Sequence, residues 1–182
     1  MKELSFYLVT DTHYFDTSFK ASGPAYERRS RKDQKCVAET PAVIDAGFAQ
    51  IAADKDTDII LIPGDLVYRG EYQSHVGFRE RLYRLKEQGK RIYLITARHD
   101  YGGNPVEFDG EKEIPVKEMK REDLRNFYRD FGFDEAISEH KKSMSYVVQL
   151  QPGYRLLALN CDGDCKDFKG LWMIRCSGRL MK

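Results

Sequence analysis

Apolar residues recur along this chain in two rhythms. Leu4–Thr10, Asp58–Pro63 (Asp-Ile-Ile-Leu-Ile-Pro) and Arg91–Thr96 (Arg-Ile-Tyr-Leu-Ile-Thr) are short runs dense in aliphatic and aromatic side chains. Continuous runs of this length suit parallel strands covered on both faces. Between them the period lengthens to that of a helix. Ile44, Phe48 and Ile51 predict an amphipathic helix over 41–53, entered through Thr40-Pro41 as an N-cap and a proline at the first helical position. Phe78, Leu82 and Leu85 predict a second helix from Tyr72 to Gln88, with Gly89 as its C-terminal cap.

Further on, Leu124, Phe127, Tyr128 and Phe131 mark a third helix, closed by Gly132. Met144–Leu150 and Arg155–Asn160 read as a hairpin around the turn Gln151-Pro152-Gly153-Tyr154. The order is β-α-β-α-β, then a helix and a hairpin, and the first three strands are expected to be parallel with right-handed crossovers. Two long polar stretches, Asp11 to Lys35 and Ala97 to Lys120, read as loops, and loops of that length are usually functional.

Composition narrows the classes. Apolar residues make up 41% and charged residues 32%, the balance of an ordinary globular domain. A net charge of +1 offers no global field for nucleic acid or a membrane surface, so neither is expected as a partner. No stretch approaches the roughly 18 apolar residues a membrane span requires. Cys36, Cys161, Cys165 and Cys176 form no Cys-x-x-Cys pair and read as reduced thiols of a cytoplasmic protein.

The candidate chemistry sits where the strands end. In open parallel sheets, ligands bind beyond the carboxyl ends of the strands. The first run leads into Asp11-Thr12-His13, the second into Gly64-Asp65 and the third into Arg98-His99-Asp100. A single Asp or His after a strand is more often structural; three such groups in succession point to a site. Asp11 and His13, two apart in extended backbone, are expected to point to one side and grip one ion. Gly64 is expected to let the backbone approach that ion without a Cβ in the way. Carboxylate and imidazole donors together suit a divalent ion such as Mn, Fe or Zn.

The ordered motifs Asp11-x-His13, Gly64-Asp65 and x-x-His99-Asp100, each after a strand, resemble the calcineurin-like metallophosphoesterases over residues 4–160. The resemblance implies the N-terminal half of an α/β/β/α sandwich and the hydrolysis of a phosphomonoester or phosphodiester. It implies that Asp11 and His13 bind one metal, that Asp65 bridges two, and that His99 protonates the leaving group while metal-activated water attacks phosphorus in line. Asp100 is read as the group that orients His99.

Two departures qualify it. Where the family has Gly-Asn, this chain has Ala97-Arg98, and arginine has no lone pair to donate to a second metal. One ion is therefore expected, with the second position empty or the Arg98 guanidinium contacting phosphate in its place. The family's later histidine motifs also lack counterparts, since the histidines are 13, 75, 99 and 140. Residues 1–170 thus read as a partial domain, and 171–182 as an irregular tail of the kind a truncated or frameshifted reading frame leaves. Half a sandwich would leave an apolar sheet face open to a partner or a second copy.

His75, near the start of the second helix, is a candidate to reach the substrate cleft, against a capping or surface role. The run from Tyr26 to Lys32 is a basic candidate for an anionic substrate, against a solvated face. The expected ligand is a phosphorylated small molecule or nucleotide-like ester. Two functions stay open: a metal-dependent phosphoesterase, or a degenerate domain that binds a phosphorylated ligand or partner chain without hydrolysing it.

Overall fold

The computed structural model describes residues 3–161. Its centre is a parallel sheet of β1 (Tyr7–Leu8), β2 (Ile59–Ile62) and β3 (Arg91–Leu94), in that spatial order. The middle strand β2 explains the unbroken apolar run: Ile59, Ile60 and Ile62 are all at most 2% exposed because both faces are covered. The anticipated Leu4–Thr10 strand is shorter than expected: β1 keeps only two of its residues, and Leu8 at this sheet edge is 61% exposed.

The crossovers are helical, as the periodicity predicts. A short helix α1 (Pro24–Ser30) precedes α2 (Thr40–Ala53), which links β1 to β2, and α3 (Tyr72–Glu87) links β2 to β3. Ile44, Phe48 and Ile51 of α2 and Phe78, Leu82 and Leu85 of α3 join the strands in one buried cluster, with the Phe48 and Phe78 rings 6.1 Å apart. Fully burying such side chains stabilises the fold by about 1.5–3 kcal/mol each.

The stretch 97–120 is not the open loop expected of it. It contains an antiparallel hairpin, β4 (Val106–Asp109) and β5 (Lys112–Pro115), turning at Gly110, whose φ is +58°. Val106 and Phe108 pack with Phe15, Ala25, Val37 and Tyr68 into a second, smaller core beneath α1. This disposes of the basic run: Arg28 and Arg29 pair with Glu111 and Glu113, each at 2.6 Å, across the hairpin. Those pairs are largely exposed and add little stability.

After the hairpin, α4 (Arg121–Phe127) ends earlier than the apolar spacing suggests. Phe131 leaves helical backbone and Gly132 takes φ +108°, a position that only glycine suits, since a Cβ there would also lie 2.5 Å from the Tyr146 hydroxyl. An antiparallel sheet of β6 (Ser138–His140), β7 (Ser145–Gln151) and β8 (Tyr154–Ala158) closes the described fold. Tyr146, Val148 and Leu150 alternate into the main core, as a half-buried strand requires. The Tyr146 hydroxyl donates to the Leu94 carbonyl at 2.8 Å, pinning this sheet to the end of β3. The mixed α/β architecture agrees with the fold the motifs imply. Among the described residues no helix is long and apolar enough to cross a membrane. The anticipated tail, residues 171–182, lies outside the described residues.

Candidate metal centre

Three loops meet at the carboxyl ends of the parallel strands. The loop after β1 lies along the loop after β2: His13 N–H donates to the Asp65 carbonyl and Tyr14 N–H to the Leu66 carbonyl, both at 3.0 Å. The side chains of Asp11, His13 and Asp65 converge there, each offering one ligand atom, and these atoms all lie within 4.8 Å of one another. His13 Nε2 stands 3.9 Å from Asp11 Oδ1 and 3.8 Å from Asp65 Oδ2. Those separations are too long for hydrogen bonds. They match donors that share one ion, since bonds of about 2.0–2.3 Å set neighbouring donors about 3–4.5 Å apart.

The backbone carries the same signature. Asp11, His13 and Asp65 have φ of +53°, +42° and +53°. Asp and His tolerate this left-handed region better than most residues, yet it still costs free energy, and such strain clusters at functional sites. It also revises the expected cause of convergence: Asp11 and His13 share a side through two left-handed turns, not through strand alternation. Burial first, and then the nearby Lys35 ammonium, hold the His13 imidazole below its ordinary value. Its ring is therefore neutral near pH 7, with a lone pair free for a cation. Its Nδ1 is buried without a hydrogen-bond partner among the described residues.

His99 stands beside the cluster, its ring edge-on to His13 with centroids 5.0 Å apart. The N–H of His99 donates to Asp65 Oδ1 at 3.3 Å, so Asp65 faces His13 with one oxygen and holds the His99 backbone with the other. His99 Nδ1 lies 3.2 Å from the Tyr68 carbonyl, which makes it the protonated nitrogen and leaves Nε2 as an acceptor. Against that ring comes a group the sequence reading missed. Lys35 Nζ lies 3.2 Å from His99 Nε2 and 3.3 Å from Nδ1. Nothing in the sequence around Lys35 marks it, because a loop lysine is ordinarily solvated.

The remaining candidates are placed apart from the reacting position. Arg98 is exposed and makes no hydrogen bond or ion pair with a described residue. Asp100 is fully buried and does not contact the His99 ring. Its Oδ1 accepts N–H groups from Leu66 at 2.7 Å and Val67 at 3.2 Å, and its Oδ2 accepts that of Ala97 at 2.7 Å. Burial pushes its carboxyl up to about 7 while those donors pull it down. Asp100 therefore ties the Asp65 loop to the His99 loop and positions both.

His75 does not reach the cleft. It is wholly buried, with Nδ1 2.7 Å from the Tyr128 hydroxyl and Nε2 2.9 Å from the Asp100 carbonyl, and burial lowers its pKa to about 4. Gly64 has a different reason from the one expected. Its φ is +105°, and a Cβ would sit 2.6 Å from the Ala97 Cβ, so the glycine admits the neighbouring loop and not the ion.

A cleft of about 540 Å³ opens beside the cluster. Asp11, His13 and Lys35 line one side, and Val43, Ile44, Phe48 and Ile51 of α2 line the other. That volume suits a small organic ligand. A family model described as calcineurin-like phosphoesterase matches residues 4–159. No curated protein matches the chain.

Proposed function

Since the chain belongs to the calcineurin-like phosphoesterase family, we propose that it is a metal-dependent hydrolase of a phosphomonoester or phosphodiester, working at Asp11, His13 and Asp65. The observation that carries this reading is the convergence of those three ligand atoms, each on a residue with left-handed backbone. Two carboxylates and a neutral imidazole fit a borderline divalent ion such as Mn, Fe or Zn. Such an ion supplies Lewis-acid polarisation of the phosphoryl oxygen and a more acidic water.

The chain's own groups divide the remaining work. Asp65 fixes the His99 backbone, which keeps the imidazole beside the cluster. Once its Nε2 carries a proton, His99 would hand it to the leaving oxygen, the step that general-acid catalysis requires. Exposed Arg98 attracts an anionic substrate at long range without fixing it. Among the described residues Cys36 and Cys161 are exposed free thiols, which a cytoplasmic setting would leave reduced.

One observation favours a second reading, a domain that binds a phosphate ester without cleaving it. Both ring nitrogens of His99 already face partners, Tyr68 and Lys35, so the imidazole is engaged in this state. Release of nitrophenolate from an aryl phosphodiester and an aryl phosphomonoester, with Mn²⁺ added, separates the two. The hydrolase reading expects metal-dependent turnover that falls at least about a hundredfold in Asp65→Asn. Turnover indifferent to metal and to Asp65, or none, overturns it.

A further inference from the structure

We infer that Lys35 is the phosphate-binding cation of this site, its ammonium taking a phosphoryl oxygen of the ester beside the Asp11–His13–Asp65 cluster. This rests on the phosphate-ester reading above and adds a residue to it. A loop lysine normally extends its ammonium into water, and fixing its long stem costs rotamer freedom. Here the stem turns inward. The ammonium sits against the His99 ring and 5.5 Å from the centre of the Tyr68 ring. Burial pulls Lys35 below its ordinary value, while the charges of Asp33, Asp65 and Asp11 favour the ammonium.

The loop that carries it is fixed from both sides. Lys35 N–H donates to Asp33 Oδ1 at 3.2 Å, and the Tyr68 hydroxyl holds Asp33 Oδ2 at 2.7 Å. Val37 is buried in the second core, and Thr40 Oγ1 accepts the Phe15 N–H while donating to the Val37 carbonyl. The ammonium is thus placed by tertiary structure. Tyr68 serves both halves of the arrangement, since its carbonyl faces His99 while its hydroxyl holds the Lys35 loop.

Its charge is also left uncancelled at short range. Among the described residues its contacts are an imidazole and an aromatic face, neither of them an anion. An ammonium has three donors, so one bond to His99 leaves two for a ligand. Of the carboxylates that attract it, Asp65 and Asp11 belong to the cation cluster, so with an ion bound there their charge would be offset, while Asp33 is held by the Tyr68 hydroxyl. A tetrahedral oxyanion that touches the ion with one oxygen has others to offer Lys35. Arg98, exposed and unheld, lacks this placement.

Inorganic phosphate is the probe. Its dissociation constant is measured by calorimetry on the full chain with Mn²⁺ saturating, for wild type, Lys35→Met and Lys35→Arg, alongside a separate Mn²⁺ titration of each. The inference expects Lys35→Met to weaken phosphate by about tenfold to a hundredfold, Lys35→Arg to retain most of the affinity, and Mn²⁺ binding to be equal or tighter in both. Lys35 is half-buried, and an unchanged melting temperature verifies folding of each variant. Phosphate affinity within about twofold of wild type in Lys35→Met overturns the inference while leaving the metal site standing. Absence of any Mn²⁺ binding by the wild type overturns the phosphoesterase reading and this inference with it.

Discussion

The Asp100 carboxylate receives the Leu66 N–H at 2.7 Å across 34 residues of sequence, joining the loop that carries Asp65 to the loop that carries His99. With Val67 and Ala97 as further donors, one buried side chain satisfies three backbone groups that would otherwise be stranded. The pairing of Asp65 with His99 is therefore built from behind, by a residue that touches neither the cation position nor the cleft.

Asp100→Asn tests that role. An amide has one acceptor oxygen, so at least one of the two sides loses its N–H partner. The expected loss is about 2–3 kcal/mol of stability, read from denaturant unfolding. Mn²⁺ affinity should fall as well, since Asp65 loses its support, although Asp100 is no ligand. Stability and metal affinity both equal to wild type would contradict the positioning role.

Gly64→Ala tests the close approach of the same two loops. It places a Cβ 2.6 Å from the Ala97 Cβ on a residue with φ +105°. A cost of at least about 2 kcal/mol is expected. Adding Ala97→Gly removes the 2.6 Å contact but neither the strained φ nor the Ala97 nitrogen and Thr96 carbonyl carbon at 3.0 and 3.2 Å, so the double variant should recover part of the loss and not all of it. Full recovery would mean that the Ala97 methyl contact alone carries the cost.

His75 yields a pH signature. Its pKa is about 4 in the folded protein and about 6.5 when unfolded, so the unfolded chain takes the proton first as pH falls. Stability from the neutral buried ring is complete above about 6.5 and is lost as pH falls toward 4. The difference in unfolding free energy between wild type and His75→Gln should narrow by about 2 kcal/mol from pH 7 to pH 5. A difference independent of pH would place His75 in solvent.

Much of this was readable in the sequence. The apolar runs marked β2 and β3 because both faces of those strands are covered, and the polar groups after the strands marked where the loops converge. His75 was misread although its spacing to Phe78, Leu82 and Leu85 sets it on the buried face of α3. The β4–β5 hairpin also left a sign, Val106 and Phe108 alternating with Glu107 and Asp109 before Gly110. Lys35 left none. Its placement depends on Asp33 meeting Tyr68 and on Val37 entering a core assembled from four distant segments, relations that no local pattern carries. The left-handed backbone at Asp11, His13 and Asp65 was equally hidden, because Asp and His occupy ordinary strands and turns as readily.

The central claim is that Asp11, His13 and Asp65 hold one divalent cation, and a Mn²⁺ titration followed by electron paramagnetic resonance tests it most directly. The account predicts one tightly bound ion per chain in the wild type, with affinity reduced by at least about tenfold in His13→Ala and in Asp65→Asn. Binding that is absent in the wild type, or unchanged in both variants, would contradict it.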